Sequence, residues 1–217
     1  MKMTLPNLLT ILRLLAAPGV ALCFLWLPRP TADVLALVVF VLASLTDYVD
    51  GYLARAWNQV SKLGTMLDPI ADKAMVVIAL MVLAHYSSLS DLLVLPAALI
   101  LFREVFVSGL REYLGDTAGL LKVTKLAKWK TTLQMVAIAV LLVQGIAEQY
   151  LGEVAFGLYR GHVSGGLSGG EEGHQVLVTL QELASSGGVV LIWIAAVLTV
   201  ITGADYFLKA RPHLRDG

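Results

Sequence analysis

Residues 44–75 read SLTDYVDGYLARAWNQVSKLGTMLDPIADKAM. They set four aspartates, Asp47, Asp50, Asp68 and Asp72, at the edges of two long apolar runs. The first two are three apart and the last two four apart, so on helices each pair shares a face. Between the pairs lies a short basic link bounded by Gly51 and Gly64, expected to fold the helices into an antiparallel hairpin and bring four carboxylates to one place. Ionised carboxylates at a bilayer edge repel one another and lose hydration, costing about 2.5 kcal/mol or more each toward the membrane centre, so the cluster needs positive compensation. Oxygen ligands with no His or Cys favour Mg2+, Mn2+ or Ca2+ over zinc. Four acids suffice for two divalent ions, an arrangement that clamps phosphates during in-line displacement. Taken singly, aspartates at helix ends also serve as caps, and Asp68 before Pro69 has the form of an N-cap with proline at the first helical position.

The surroundings are those of a membrane protein. The 217 residues are 58% hydrophobic and 15% charged, against about 25% charged in soluble domains, and mean hydropathy is +0.78. Sixteen basic and sixteen acidic side chains cancel, which removes any global charge argument for a nucleic-acid partner. The single cysteine, Cys23, excludes an intrachain disulfide and a cysteine metal site. The first apolar segment contains Arg13 and Pro18 and outruns a signal core, so it is expected to stay as a membrane helix.

At about 20 apolar residues per span, six spans are expected, at about 8–28, 32–53, 69–88, 91–111, 129–148 and 187–208. The fold class is therefore an all-α integral membrane protein with both termini on one side, one domain over 1–217. Every Lys and Arg except Arg29 and Arg160 falls on that side, which the positive-inside rule makes cytoplasmic. The far side receives PRPTAD (28–33), HYSSLSD (85–91) and residues 149–186. That last stretch contains GHVSGGLSGGEEGH (161–174) and is expected to be a flexible extracytoplasmic loop. His162 and His174 within it lack a carboxylate partner and read as solvated.

The pattern Asp47-x-x-Asp50-Gly51-x-x-Ala54-Arg55, eight residues, then Gly64-x-x-x-Asp68-x-x-x-Asp72, resembles at every position the signature of the CDP-alcohol phosphatidyltransferases. The resemblance implies a six-helix, dimeric membrane enzyme that displaces CMP from a CDP-linked lipid with an alcohol hydroxyl, using two divalent cations, Mg2+ or Mn2+. It implies that Asp47, Asp50 and Asp68 bind the metals, and that Asp72 lies at the metal site and is the general base. Gly51 and Gly64 would let the CDP group approach the backbone, small Ala54 would serve the same end, and Arg55 would fork onto a phosphate.

Two further stretches bear on the acceptor. LPNLLTILRLLAAP (5–18) resembles the start of the phosphatidylglycerophosphate synthase subfamily in Pro6, Asn7, Leu9, Thr10, Arg13 and Pro18, and Thr10 joins the CDP-binding set on that resemblance. FREVFVSGLREYL (102–114) and KVTKLAKWKTTLQM (122–135) resemble the same subfamily, with one departure at Ala127, where glycine is expected. Arg103, Arg111 and Lys130 then form a basic pocket for an acceptor that carries its own phosphate, which glycerol 3-phosphate does and serine does not. Arg103 lies within an apolar span beside Glu104, and intramembrane charges default to functional candidates. The expected substrates are CDP-diacylglycerol and glycerol 3-phosphate, in a bacterial inner (plasma) membrane with the site facing the cytoplasm. Rival acceptors are phosphatidylglycerol, giving cardiolipin, and an inositol phosphate. A cation transporter is the rival of another class, disfavoured because the acids sit at span ends and no repeat is visible.

Overall fold

A computed structural model describes the backbone at residues 5–56, 61–120, 125–164 and 171–214. Side chains are described within these ranges except at 6, 47–56, 62, 116, 118, 120, 125–128, 155, 157–164, 171 and 172. Among the described residues there is no strand. Six α-helices follow one another: α1 (Leu5–Trp26), α2 (Thr31–Ala56), α3 (Lys62–Tyr86), α4 (Ser90–Leu114), α5 (Lys125–Ser164) and α6 (Glu171–Ala210), with short 3-10 turns at Gly115–Leu120 and Arg211–His213.

Around an apolar core the helices bury several polar side chains and leave many large apolar ones exposed. On α1 the buried stripe is Asn7, Thr10, Arg13, Ala17 and Val20, while Leu5, Leu8, Leu12, Leu15, Leu22 and Leu25 are exposed. Polar side chains turned inward and leucines turned outward suit a lipid surround. Among the described residues, four stretches are long and apolar enough to cross a membrane: Asn7–Trp26, Ser90–Leu114, Trp129–Val154 and Gly173–His213. The chain is multi-pass by that measure. Over its described side chains helix α2 has a shorter apolar stretch, Thr31–Thr46. Its last turns carry Asp47, Asp50 and Arg55, and the first turns of α3 carry Lys62, Asp68, Asp72 and Lys73.

Cross-helix contacts fix the directions. Asn7 meets Ser61, Thr10 meets Asp68 and Arg13 meets Asp72, so α1 and α3 run parallel. Lys73 meets Ser108 while residues 87–89 join the other ends of α3 and α4, so α4 opposes α3. Lys130 meets Glu104 while Gln144 meets Ser87 and Ser88 beside the start of α4, so α5 opposes α4. Ser44 meets Met135 while Asp33 lies at Gly145, so α2 opposes α5. Trp193 Nε1 donates to Leu92 O at 3.2 Å while Gly203 lies on Arg103, so α6 runs parallel to α4. The helices alternate, and the start of α1 and the end of α6 lie at one end of the bundle.

Helix α1 packs on both α2 and α3, its polar stripe bonding directly to α3; the turns at which α2 and α3 are expected to meet as a hairpin, 47–60, lie outside the described side chains. Two expectations need correction. Helix α3 begins at Lys62 rather than near 69, and its N-cap is Ser61, in extended backbone with its Oγ accepting from Gly64 N–H. Asp68 and Pro69 therefore lie inside the helix. Finally, the loop expected over 149–186 is largely helical: α5 runs on to Ser164 and α6 starts at Glu171, with 165–170 outside the described residues. Stretches such as IAEQYL (146–151) and QVLVTLQEL (175–183) are rich in strong helix formers, and mutual packing of α5 and α6 carries the glycines, each costing about 1 kcal/mol.

The end away from the aspartates is closed by a polar tie. Arg29 forks onto Asp33 at 2.7 and 2.6 Å and reaches Tyr86 O at 2.8 Å, joining the α1–α2 turn to the end of α3. The Asp33 hydrogen bond pushes the already high Arg29 pKa further up, so the tie stays charged. Helix α5 presses against it at Gly145, where a Cβ would lie 2.8 Å from Asp33 Oδ1. Asp33 is 2% exposed, and removing one partner of a fully buried pair costs about 3–5 kcal/mol. Arg29 is partly exposed, so Arg29→Ala is expected to cost on the order of 2–3 kcal/mol, read as a lower melting temperature in detergent, with Arg29→Lys in between.

Candidate active site

The capped start of α3 is pinned to α1 before any acid is reached. Ser61 Oγ donates to Asn7 Oδ1 at 2.5 Å. A Cβ on Gly64 would lie 3.0 Å from Asn7 Oδ1 and 3.3 Å from Ser61 Oγ, so the bare backbone there serves this helix contact. One turn further, Thr10 Oγ1 donates to Asp68 Oδ1 at 2.7 Å, and after another turn Arg13 Nη1 reaches Asp72 Oδ1 at 2.9 Å. The Arg13 side chain is 1% exposed and that of Asp72 38%. Asp72 is thus held from behind by a buried cation and open in front.

In front of it lies a cavity of about 270 Å³ between α3, α4 and α5. Arg103, Arg111 and Lys130 all line it with Asp72, so the three basic residues singled out in the sequence meet the fourth aspartate in one space. Lys73 and Glu104 line it too. Four cations against two carboxylates leave a positive surplus suited to a phosphate dianion. Glu104 keeps those cations apart: it accepts from Arg103 Nη1 at 3.1 Å and from Lys130 Nζ. Lys73 Nζ donates to Ser108 Oγ, which donates in turn to the Glu104 carbonyl at 2.5 Å. Gln134, one turn beyond Lys130 and 2% exposed, presents an Oε1 with no hydrogen-bond partner among the described residues, a buried acceptor available to a ligand hydroxyl.

Asp47, Asp50, Gly51, Ala54 and Arg55 lie on the last turns of α2, and their side chains, like that of Ala127, fall outside the described residues. Among the described residues no group of three or more His, Cys, Asp or Glu could hold a metal. The described half of the acidic set does have the right chemistry for a hard divalent cation. Asp68 and Asp72 offer oxygen from one face of α3, with no nitrogen or sulfur ligand beside them.

Two groups escaped the sequence reading. Lys73 was visible as a charge within an apolar helix, a signal of function in itself. The pairing of Arg13 with Asp72 required knowing that α1 and α3 are parallel.

A family model described as CDP-alcohol phosphatidyltransferase matches residues 3–162. The chain belongs to the CDP-alcohol phosphatidyltransferases. It is 56% identical over 219 residues to a Cereibacter sphaeroides protein named CDP-diacylglycerol–glycerol-3-phosphate 3-phosphatidyltransferase, covering 100% of this chain and 99% of that one. A Rickettsia bellii protein of the same name is 39% identical over 209 residues, 96% of each chain. One from Pectobacterium atrosepticum is 41% identical over 144 residues, 65% of this chain and 78% of that one.

For a phosphatidyltransferase built this way, loss of the cation behind Asp72 should strike the chemistry. Arg13→Gln is expected to lower CMP release by about 100-fold or more, the scale set by small misplacements of a reacting group, with Arg13→Lys intermediate. Release of CMP from CDP-diacylglycerol measures both.

Proposed function

We propose that this protein transfers the phosphatidyl group of CDP-diacylglycerol to glycerol 3-phosphate, giving phosphatidylglycerophosphate and CMP. The observation that carries the reading is the cation-rich cavity that opens on Asp72. An acceptor with its own phosphate has counter-charges there, whereas an uncharged alcohol would leave Arg103, Arg111 and Lys130 uncompensated beyond Glu104. The names of the full-length relatives support the same acceptor.

In this mechanism Arg103, Arg111 and Lys130 hold the acceptor phosphate and Gln134 Oε1 accepts from a glycerol hydroxyl. Asp72 takes the proton of the attacking hydroxyl. The hydroxyl oxygen bonds to the phosphatidyl phosphorus while the bond from that phosphorus to the CMP oxygen breaks, and CMP leaves. Asp47, Asp50, Asp68 and Asp72 would hold two divalent cations, Mg2+ or Mn2+, which when bound neutralise charge on the pyrophosphate and the departing CMP. Gly51, Ala54, Arg55, Gly64 and Thr10 would receive the CDP group, Thr10 also orienting Asp68 through their hydrogen bond. All six helices would span the bilayer of a bacterial inner membrane, with both termini and the site on the basic, cytoplasmic side, and the enzyme would act as a homodimer.

Purified protein given CDP-diacylglycerol, Mg2+ or Mn2+ and one alcohol at a time should release CMP with glycerol 3-phosphate. Release with phosphatidylglycerol or an inositol phosphate, and none with glycerol 3-phosphate, would overturn the acceptor assignment. Chelation should abolish release and either metal restore it. Asp72→Asn is expected to lose release by at least about 100-fold, within the range attributed to general base catalysis.

A further inference from the structure

The two arginines of the cavity owe their positions to a helix that the matched family region, residues 3–162, does not reach. Along α6 the buried positions Thr199, Thr202, Gly203, Tyr206 and Ala210 form one stripe, and α6 packs along α4. At Gly203 the Arg103 stem lies where a side chain would begin: a Cβ there would be 2.9 Å from Arg103 Cγ, 3.7 Å from its Nε and 3.9 Å from its Cδ. Cγ is the root of the side chain, and moving it turns χ1 and carries the guanidinium with it. One turn on, the Arg111 guanidinium carbon sits 5.3 Å from the centre of the Tyr206 ring, within cation–π range. Tyr206 is 6% exposed and its hydroxyl has no hydrogen-bond partner among the described residues, so its polar end accounts for none of its placement.

We infer that Gly203 and Tyr206 are positioning residues for acceptor selection: α6 acts as a template, a notch for the Arg103 stem and an aromatic plate for Arg111, that sets the spacing of the two guanidinium groups. The inference rests on the proposal that these arginines hold the acceptor phosphate. Because α6 packs on α4 and α5 and, among the described residues, hardly touches α3, which carries Asp68 and Asp72, its effect should fall on the acceptor alone.

Steady-state kinetics of the full-length enzyme in detergent, varying each substrate in turn, separates the possibilities. Gly203→Ala should raise KM for glycerol 3-phosphate about tenfold or more, a misplaced binding group being costly. Tyr206→Leu should raise it roughly 2- to 5-fold, the scale of a cation–π contact whose cation, Arg111, is itself exposed. KM for CDP-diacylglycerol and the melting temperature should stay near wild type. Tyr206→Phe, which keeps the ring, should restore the wild-type acceptor KM. If both substrates' KM values and the melting temperature move together, or if Tyr206→Phe is as impaired as Tyr206→Leu, the template is wrong. Arg103→Ala and Arg111→Ala are run alongside. If they raise the acceptor KM and the α6 variants do not, the template alone fails. If they leave it unchanged, the phosphate-binding proposal fails and the template with it.

Discussion

The contact on which the rest of the site depends is the ion pair between Arg13 and Asp72. A buried arginine in the first apolar helix and an aspartate in the third are each costly alone in a bilayer, and each is the other's compensation. Satisfying both forces α1 and α3 into one parallel register, to which Thr10 with Asp68 and Asn7 with Ser61 then add hydrogen bonds. Helix α3 is therefore held in register by α1. Such a pair also leaves a front face of Asp72 open, which a carboxylate buried all round would not offer.

The same logic shapes the acceptor side. Lys73, Arg103, Arg111 and Lys130 around one cavity would repel one another without an anion. Glu104, bonded to both Arg103 and Lys130, supplies part of the neutralisation and stops short of all of it. The remaining positive charge suits the phosphate of the proposed acceptor. Alternating helix directions bring α3, α4 and α5 to this charge at the same depth, beside Asp72.

Much of this was legible in the sequence. Asp47 to Asp72 carry the family signature because the chemistry fixes residue type and spacing. Arg103, Arg111 and Lys130 stand out because charge in apolar helices is rarely idle. What was not legible depended on three-dimensional register. The packing of α1 on both α2 and α3, with its polar stripe bonded to α3, is a register that no local pattern encodes. The glycine-rich composition around 161–174 suggested a loop, yet the flanking helix formers and the packing of α5 on α6 extend both helices far into it. Ser61 in place of Asp68 as the cap of α3 follows from its bond to Asn7, a contact across 54 positions of sequence.

The central claim is that the cavity reads the acceptor's phosphate, and the most direct measurement compares glycerol 3-phosphate with glycerol, which lacks only that group. The ratio of their kcat/KM values should be large in the wild type and should collapse by about 100-fold or more in the double variant Arg103→Ala, Lys130→Ala, each charged hydrogen-bonding pair being worth about 1.5–3 kcal/mol. A double variant that slowed both acceptors equally, leaving the ratio unchanged, would contradict the account.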